Sequence, residues 1–92
     1  MIPKLSSAEY VRDHTIRVTF ADGTVGDVNL ETELWGEVFE VLRDPDTFRR
    51  FRLDHELNTI TWPCGADFAP EFLYEKAALQ AAAADARKAA RG

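Results

Sequence analysis

The segment from Thr15 to Leu30 limits the fold more than any other part of the chain. Ile16, Val18 and Phe20 alternate with Arg17 and Thr19, which gives an extended segment one apolar and one polar face. Ala21-Asp22-Gly23 breaks the run, and Thr24 to Leu30 continues as a second extended segment. Loop length decides the register. A two-residue Asp22-Gly23 turn would set Phe20 against Val25 and Val18 against Asp27, placing a carboxylate beside the core. A three-residue loop with Gly23 in the left-handed conformation sets Phe20 against Thr24, Val18 against Gly26 and Ile16 against Val28. Leu30 then lies on the same apolar face, and Arg17 meets Asp27 across the strands on the solvent side. The three-residue loop is expected, because it keeps apolar residues together and pairs the charges.

Other elements follow from local signals. Ala8–Val11 reads as a strand joined to Thr15–Phe20 through a tight turn at Asp13-His14. Val38–Leu42 suggests one or two helical turns packed on the sheet. Pro45 suits the first turn of a short helix running to Arg50, with Phe48 and Phe51 turned inward. Arg52-Leu53-Asp54 and Thr59–Trp62 form another hairpin around residues 55–58, and Pro63-Cys64-Gly65-Ala66 ends it. From Pro70 the chain reads as a long helix, with Asp67 just upstream as a candidate cap. Glu71 and Glu75 sit near its positive end, and Arg87, Lys88 and Arg91 near its negative end. Phe72, Leu73, Ala77 and Leu79 are expected to pack on the sheet. The fold class is therefore α+β: a small antiparallel sheet of two hairpins, short helices and one long C-terminal helix. Residues 1–80 are read as one domain and 81–92 as an alanine-rich helical tail that adds little to the core and frays.

Charge and composition narrow the function. The 92 residues carry 16 acids against 11 bases, a net charge of −5 that repels phosphate backbones and argues against a free-standing nucleic-acid binder. It suits a basic protein partner better. No apolar stretch interrupts the charges between Met1 and Phe20, and no uncharged run approaches the ~18 residues of a membrane span. With a lone thiol, Cys64, no internal disulfide forms, so a cytoplasmic location without membrane association is expected.

No chemistry announces itself. His14, His55 and Cys64 show no zinc-like spacing, so no metal is expected. A Cys64–His55 nucleophile pair oriented by Asp54 or Asp67 lacks local support, and a single cysteine is more often a small buried hydrophobe. Asp44/Asp46 and Glu31/Glu33 read as solvated charges, and the five glycines form no phosphate loop. No catalytic residue and no cofactor are expected. Arg43, Arg49, Arg50 and Arg52 form the one basic cluster, the candidate for a DNA-associated role. Asp44, Asp46 and Asp54 interleave with it and cancel its long-range field, and Arg49 and Arg50 suit a helix C-terminus. Trp35, Trp62, Phe68, Phe72 and Tyr74 gather around the last helix start. Most should be core, and any that are exposed together would form an interaction patch.

The segment Trp62-Pro63-Cys64-Gly65-Ala66-Asp67-Phe68-Ala69-Pro70-Glu71-Phe72-Leu73-Tyr74 resembles the signature of a bacterial family known as domain of unknown function 2442. Val18-x-Phe20-x-Asp22-Gly23, Asp27-x-x-Leu30, Leu42-x-Asp44 and Phe48 are similar to it as well, so the resemblance spans roughly residues 8–76. Cys64 stands where the family is expected to carry Asn. The resemblance implies a small α+β fold with no established activity. Some relatives add a helix-turn-helix domain, a pattern not seen in this chain. Others are encoded beside a second small protein, as in a toxin–antitoxin-like pair. Trp62, Pro63, Gly65, Asp67, Pro70, Glu71 and Tyr74 are thus the candidate interaction or structural motif. Five of these also have a folding reason: Trp62 fills the core, Pro63 and Gly65 turn the chain, and Asp67 and Pro70 start a helix. The expected role is a non-enzymatic interaction domain that binds a small bacterial protein or a second copy of itself. The alternatives are a ligand-binding or enzymatic site beside the Trp62–Tyr74 turn and a DNA-associated regulator.

Overall fold

A computed structural model describes residues 2–90 of the chain, with side-chain environments given as far as Ala81. Strands β1 (Leu5–Arg12), β2 (Thr15–Phe20) and β3 (Val25–Asn29) form an antiparallel sheet in the order β1-β2-β3. Two helical turns, α1 (Glu37–Glu40) and α2 (Pro45–Phe48), lead to a separate hairpin of β4 (Arg52–Asp54) and β5 (Thr59–Thr61). Helix α3 runs from Pro70 to Ala90.

The β2–β3 register follows the charge-and-alternation argument. Ile16 pairs with Val28, Arg17 with Asp27 and Val18 with Gly26. Gly23 has φ +91°, and the Phe20 amide donates to the Thr24 carbonyl at 2.8 Å, closing the three-residue loop. Arg17 Nε donates to Asp27 Oδ1 at 2.7 Å. That bond holds the Asp27 carboxyl below its ordinary pKa, while Asp27 raises the Arg17 guanidinium. Ile16, Val18, Phe20, Val28 and Leu30 are all buried in the core.

β1 is longer than its alternation suggests, and it starts at Leu5. Register shifts between Leu5 and Ser7 and between Tyr10 and Arg12 break its period, so a strict two-residue pattern misses its ends. Asn58, in the β4–β5 turn at φ 56°, ties the two sheets together. Its Oδ1 accepts from the Leu5 amide at 2.7 Å, and its Nδ2 donates to the Pro3 carbonyl at 3.0 Å.

α3 lies across β3 where Gly26 faces Ala77. A Cβ placed on Gly26 would stand 2.7 Å from both the Cα and the carbonyl oxygen of Ala77. Leu73 and Ala77 are fully buried on this face. Leu79 does not join them: it is 70% exposed, because two residues beyond Ala77 it lies about 200° around the helix from the face that meets the sheet. Pro45 occupies the first turn of α2 as expected, but α2 ends at Phe48. Arg49 forms its C-cap, and its guanidinium lies 5.2 Å above the Tyr10 ring. Phe48 is fully buried and Phe51 partly so, whereas Val38 and Val41 are half exposed and only Leu42 of that segment enters the core. The alanine-rich stretch is helical as far as Ala90, as expected, whereas the expected meeting of Arg87, Lys88 and Arg91 with the helix dipole rests on side chains outside the described ones. No helix among the described residues is long and apolar enough to cross a membrane.

Candidate functional site

The Trp62–Tyr74 segment is first a piece of architecture. Trp62 is 4% exposed, and its Nε1 donates to the Phe48 carbonyl at 2.7 Å, which joins β5 to the end of α2. Behind it the chain turns back sharply. The Gly65 amide donates to the Trp62 carbonyl at 2.9 Å and the Trp62 amide to the Ala66 carbonyl at 3.0 Å. Gly65 has φ +93°, a conformation that a side chain would strain. Ala66 is buried, Asp67 forms a backbone bridge with Thr61, and the Thr59 hydroxyl donates to the Phe68 carbonyl.

Asp67 does not cap α3. It stands three residues before Pro70, and among the described residues its carboxylate makes no hydrogen bond. The helix opens instead at Ala69, whose carbonyl accepts from the Leu73 amide at 3.2 Å. The bridge to Thr61 keeps Asp67 in extended backbone, too far along the chain to reach the first free amides.

This turn delivers Phe68 and Phe72 to the surface, where a second segment meets them. After Leu34 is buried, Gly36 at φ +89° redirects the chain into α1 and leaves Trp35 outside. Phe39 comes back against Phe68 with ring centroids 5.1 Å apart, and Phe68 stacks on Phe72 at 5.4 Å with 17° between planes. Trp62 supports Phe68 from below, edge-on at 5.8 Å. The result is an aromatic groove of about 310 Å³, with Trp35 standing 70% exposed on its rim. Most of the aromatic group is at least partly core, as expected, but Trp35 is not.

The groove's charged lining is acidic. Glu33 and Asp67 line it. In sequence, Glu37 falls between Trp35 and Phe39, and Glu71 immediately precedes Phe72; both are exposed. Lys76 reaches the same wall: its Nζ lies 5.4 Å from the Phe72 ring centroid and 3.6 Å from Glu33 Oε1. Lys76 and Phe39 were not among the candidate site residues read from the sequence, and Glu33 was read there only as a solvated charge. They lie outside the Trp62–Tyr74 motif and join it only through the fold.

The remaining motif residues divide by place. Pro63 and Gly65 are exposed turn residues, and Pro70 begins the helix. Tyr74 belongs to a different neighbourhood. It packs edge-on against Phe20 at 5.0 Å, and its hydroxyl donates to Asp22, which lowers the Asp22 carboxyl below its ordinary value with help from the Thr24 amide. Tyr74 thereby fastens α3 to the β2–β3 loop.

Two of the four arginines in the basic cluster are committed to contacts within the fold, and Arg52 is exposed on β4. Arg43 Nε donates to the Leu34 carbonyl at 2.9 Å, Arg49 covers Tyr10, and Arg50 lines a shallow pocket with Trp62 and Cys64. His14 Nε2 donates to the Arg43 carbonyl at 2.8 Å and packs on Phe48. Cys64 is exposed, with its thiol directed at the Val38 carbonyl. Among the described residues, no group of three His, Cys, Asp or Glu is arranged to hold a metal.

Residues 5–78 match a family model whose description is "Protein of unknown function (DUF2442)". No curated protein and no solved structure matches the chain.

Proposed function

The chain belongs to the DUF2442 family, and we propose that this member is a non-enzymatic protein-interaction domain that docks its partner on the aromatic groove between Trp35 and Phe72. One observation carries the reading: an indole 70% exposed on the rim of a groove walled by three phenylalanines. A large aromatic held in water at a well-supported position is what interfaces use as an anchor. The groove's lining supports docking over catalysis. It is built mainly from ring faces, and of its two charged side chains Glu33 is ion-paired with Lys76 while Asp67 stands alone. A DNA-associated role finds less support, because Arg43 and Arg49 are committed to contacts within the fold and the net charge is −5.

In this reading the chain is the acidic member of a pair with another small bacterial protein in the cytoplasm, as the toxin–antitoxin-like arrangement suggested by the family resemblance would have it. The experiment is affinity capture from the native cell with three baits: wild type, Trp35→Ala and Leu79→Ser. Leu79 is equally exposed but far from the groove's lining in sequence and contacts, so it controls for general stickiness. The proposal expects a stoichiometric partner retained by wild type and Leu79→Ser and lost by Trp35→Ala. A partner retained equally by Trp35→Ala would overturn it.

A further inference from the structure

The groove is aromatic and acidic together, and that combination selects a partner chemistry. We infer that the groove receives a cationic side chain, an arginine or lysine flanked by aliphatic residues, from a basic segment of the protein partner. The inference rests on the docking role proposed above and adds what the docked segment must carry.

Three observations lead to it. First, ring faces present negative quadrupole potential, and Phe39, Phe68 and Phe72 form one wall with Trp35 at its rim. Second, carboxylates border those rings: Glu33 and Asp67 in the lining, Glu37 and Glu71 beside it in sequence. Among the described residues Asp67, Glu37 and Glu71 have no ion-pair partner, so this edge offers uncompensated negative charge to a visitor. Third, the chain already places a cation there. The Lys76 ammonium sits over Phe72 and beside Glu33, at 5.4 Å and 3.6 Å. Lys76 stands one helical turn after Phe72 on α3, and its ammonium lies between that ring and the Glu33 carboxylate.

The elements give the same answer from the chain as a whole. No arginine is among the residues that line the groove. An acidic partner segment would meet Asp67 with like charge, and a purely apolar one would desolvate Asp67 without compensation, whereas Glu33 already has Lys76 beside it. A guanidinium suits the site best, since its plane stacks on a ring while its edge donates to a carboxylate.

The test uses the full chain and two tripeptides, acetyl-Leu-Arg-Leu-amide and the same peptide with neutral citrulline for arginine. Binding is followed by NMR shifts of the Trp35 indole and the Phe72 ring region. The expected result is saturable binding of the arginine peptide, about fivefold or more tighter than the citrulline peptide and weaker in high salt. The double variant Glu33→Gln, Asp67→Asn should bring the arginine peptide down to the citrulline level. Lys76→Gln should tighten the arginine peptide about twofold to threefold, by removing the resident competitor. Equal binding of the two peptides at the groove would overturn the cation inference while leaving the docking role standing. Absence of arginine-peptide shifts at Trp35 and Phe72 up to saturating concentration would overturn it as well. Failure of the docking role shows separately, as partner capture indifferent to Trp35→Ala.

Discussion

Gly26→Ala should destabilise the protein through space rather than through backbone conformation. The new Cβ would stand 2.7 Å from the Cα and carbonyl oxygen of Ala77 and 3.1 Å from its carbonyl carbon. All three are backbone atoms of α3, so no flexible side chain can swing aside. Ordinary carbon contacts begin near 3.5 Å, so the helix must retreat by roughly 0.8 Å. That movement loosens Leu73 and Ala77, which are fully buried against the sheet. Overpacking of this kind costs about 1–3 kcal/mol. Replacing glycine inside a strand returns a few tenths of that through the unfolded chain. The net expectation is a loss of about 1–2.5 kcal/mol, or a fall in Tm of about 5–15 °C for a domain of this size. Urea denaturation followed by circular dichroism measures it. Adding Ala77→Gly should not rescue the variant, because the obstruction is backbone that glycine keeps. An unchanged or raised midpoint for Gly26→Ala, or full rescue by Ala77→Gly, would refute the reasoning. The helix that must retreat also carries Phe72, so the same variant should disturb the groove.

Three further outcomes are expected. Gly23→Val should cost about 1–3 kcal/mol, because Gly23 sits at φ +91° with open space around it and the penalty is conformational; a denaturation midpoint unchanged from wild type would contradict the three-residue loop. Asp67→Ala should change stability by no more than about 0.5 kcal/mol, since Asp67 caps nothing, and should weaken partner binding instead; a clear loss of Tm would restore a structural role for that carboxylate. Asp22 and Asp27 both titrate below the ordinary 3.8, held down by Tyr74 and Arg17 respectively, so the stability they contribute is complete above that value and is lost as pH falls through their lowered pKa values. Acid titration of the melting temperature should therefore show a shallower decline for Tyr74→Phe than for wild type; parallel curves would contradict the assignment.

The parts of the fold that were legible in the sequence are those set by local rules. The β2–β3 register was readable because alternation and one charge pair agree on a single loop length. Pro45 marks a helix start because its ring supplies the required φ and lacks an amide that would go unpaired. The Trp62–Ala66 turn was readable from Pro63 and Gly65. What escaped depends on which surfaces meet. β1 carries bulges that interrupt its period. Leu79 continues the apolar run but falls on the face of α3 turned away from the sheet. Asp67 has the chemistry of a cap but is held by Thr61 away from the helix start. The groove was half visible: Trp62, Phe68, Phe72 and Asp67 lie in one motif. Glu33, Trp35 and Phe39 lie far from that motif in sequence and meet it only through the fold, with Gly36 turning the chain between Trp35 and Phe39, and nothing local says that an indole will be left in water.

Trp35 is also the most direct reporter of the central claim. The chain has two tryptophans, one buried at 4% exposure and one 70% exposed. Acrylamide quenching of the free protein should resolve one accessible and one protected indole, with Trp35→Phe removing the accessible one. Once the captured partner is added, the account predicts that Trp35 becomes protected while Trp62 does not change. A Trp35 that remains fully quenchable in the saturated complex would contradict the claim that the partner docks on the groove.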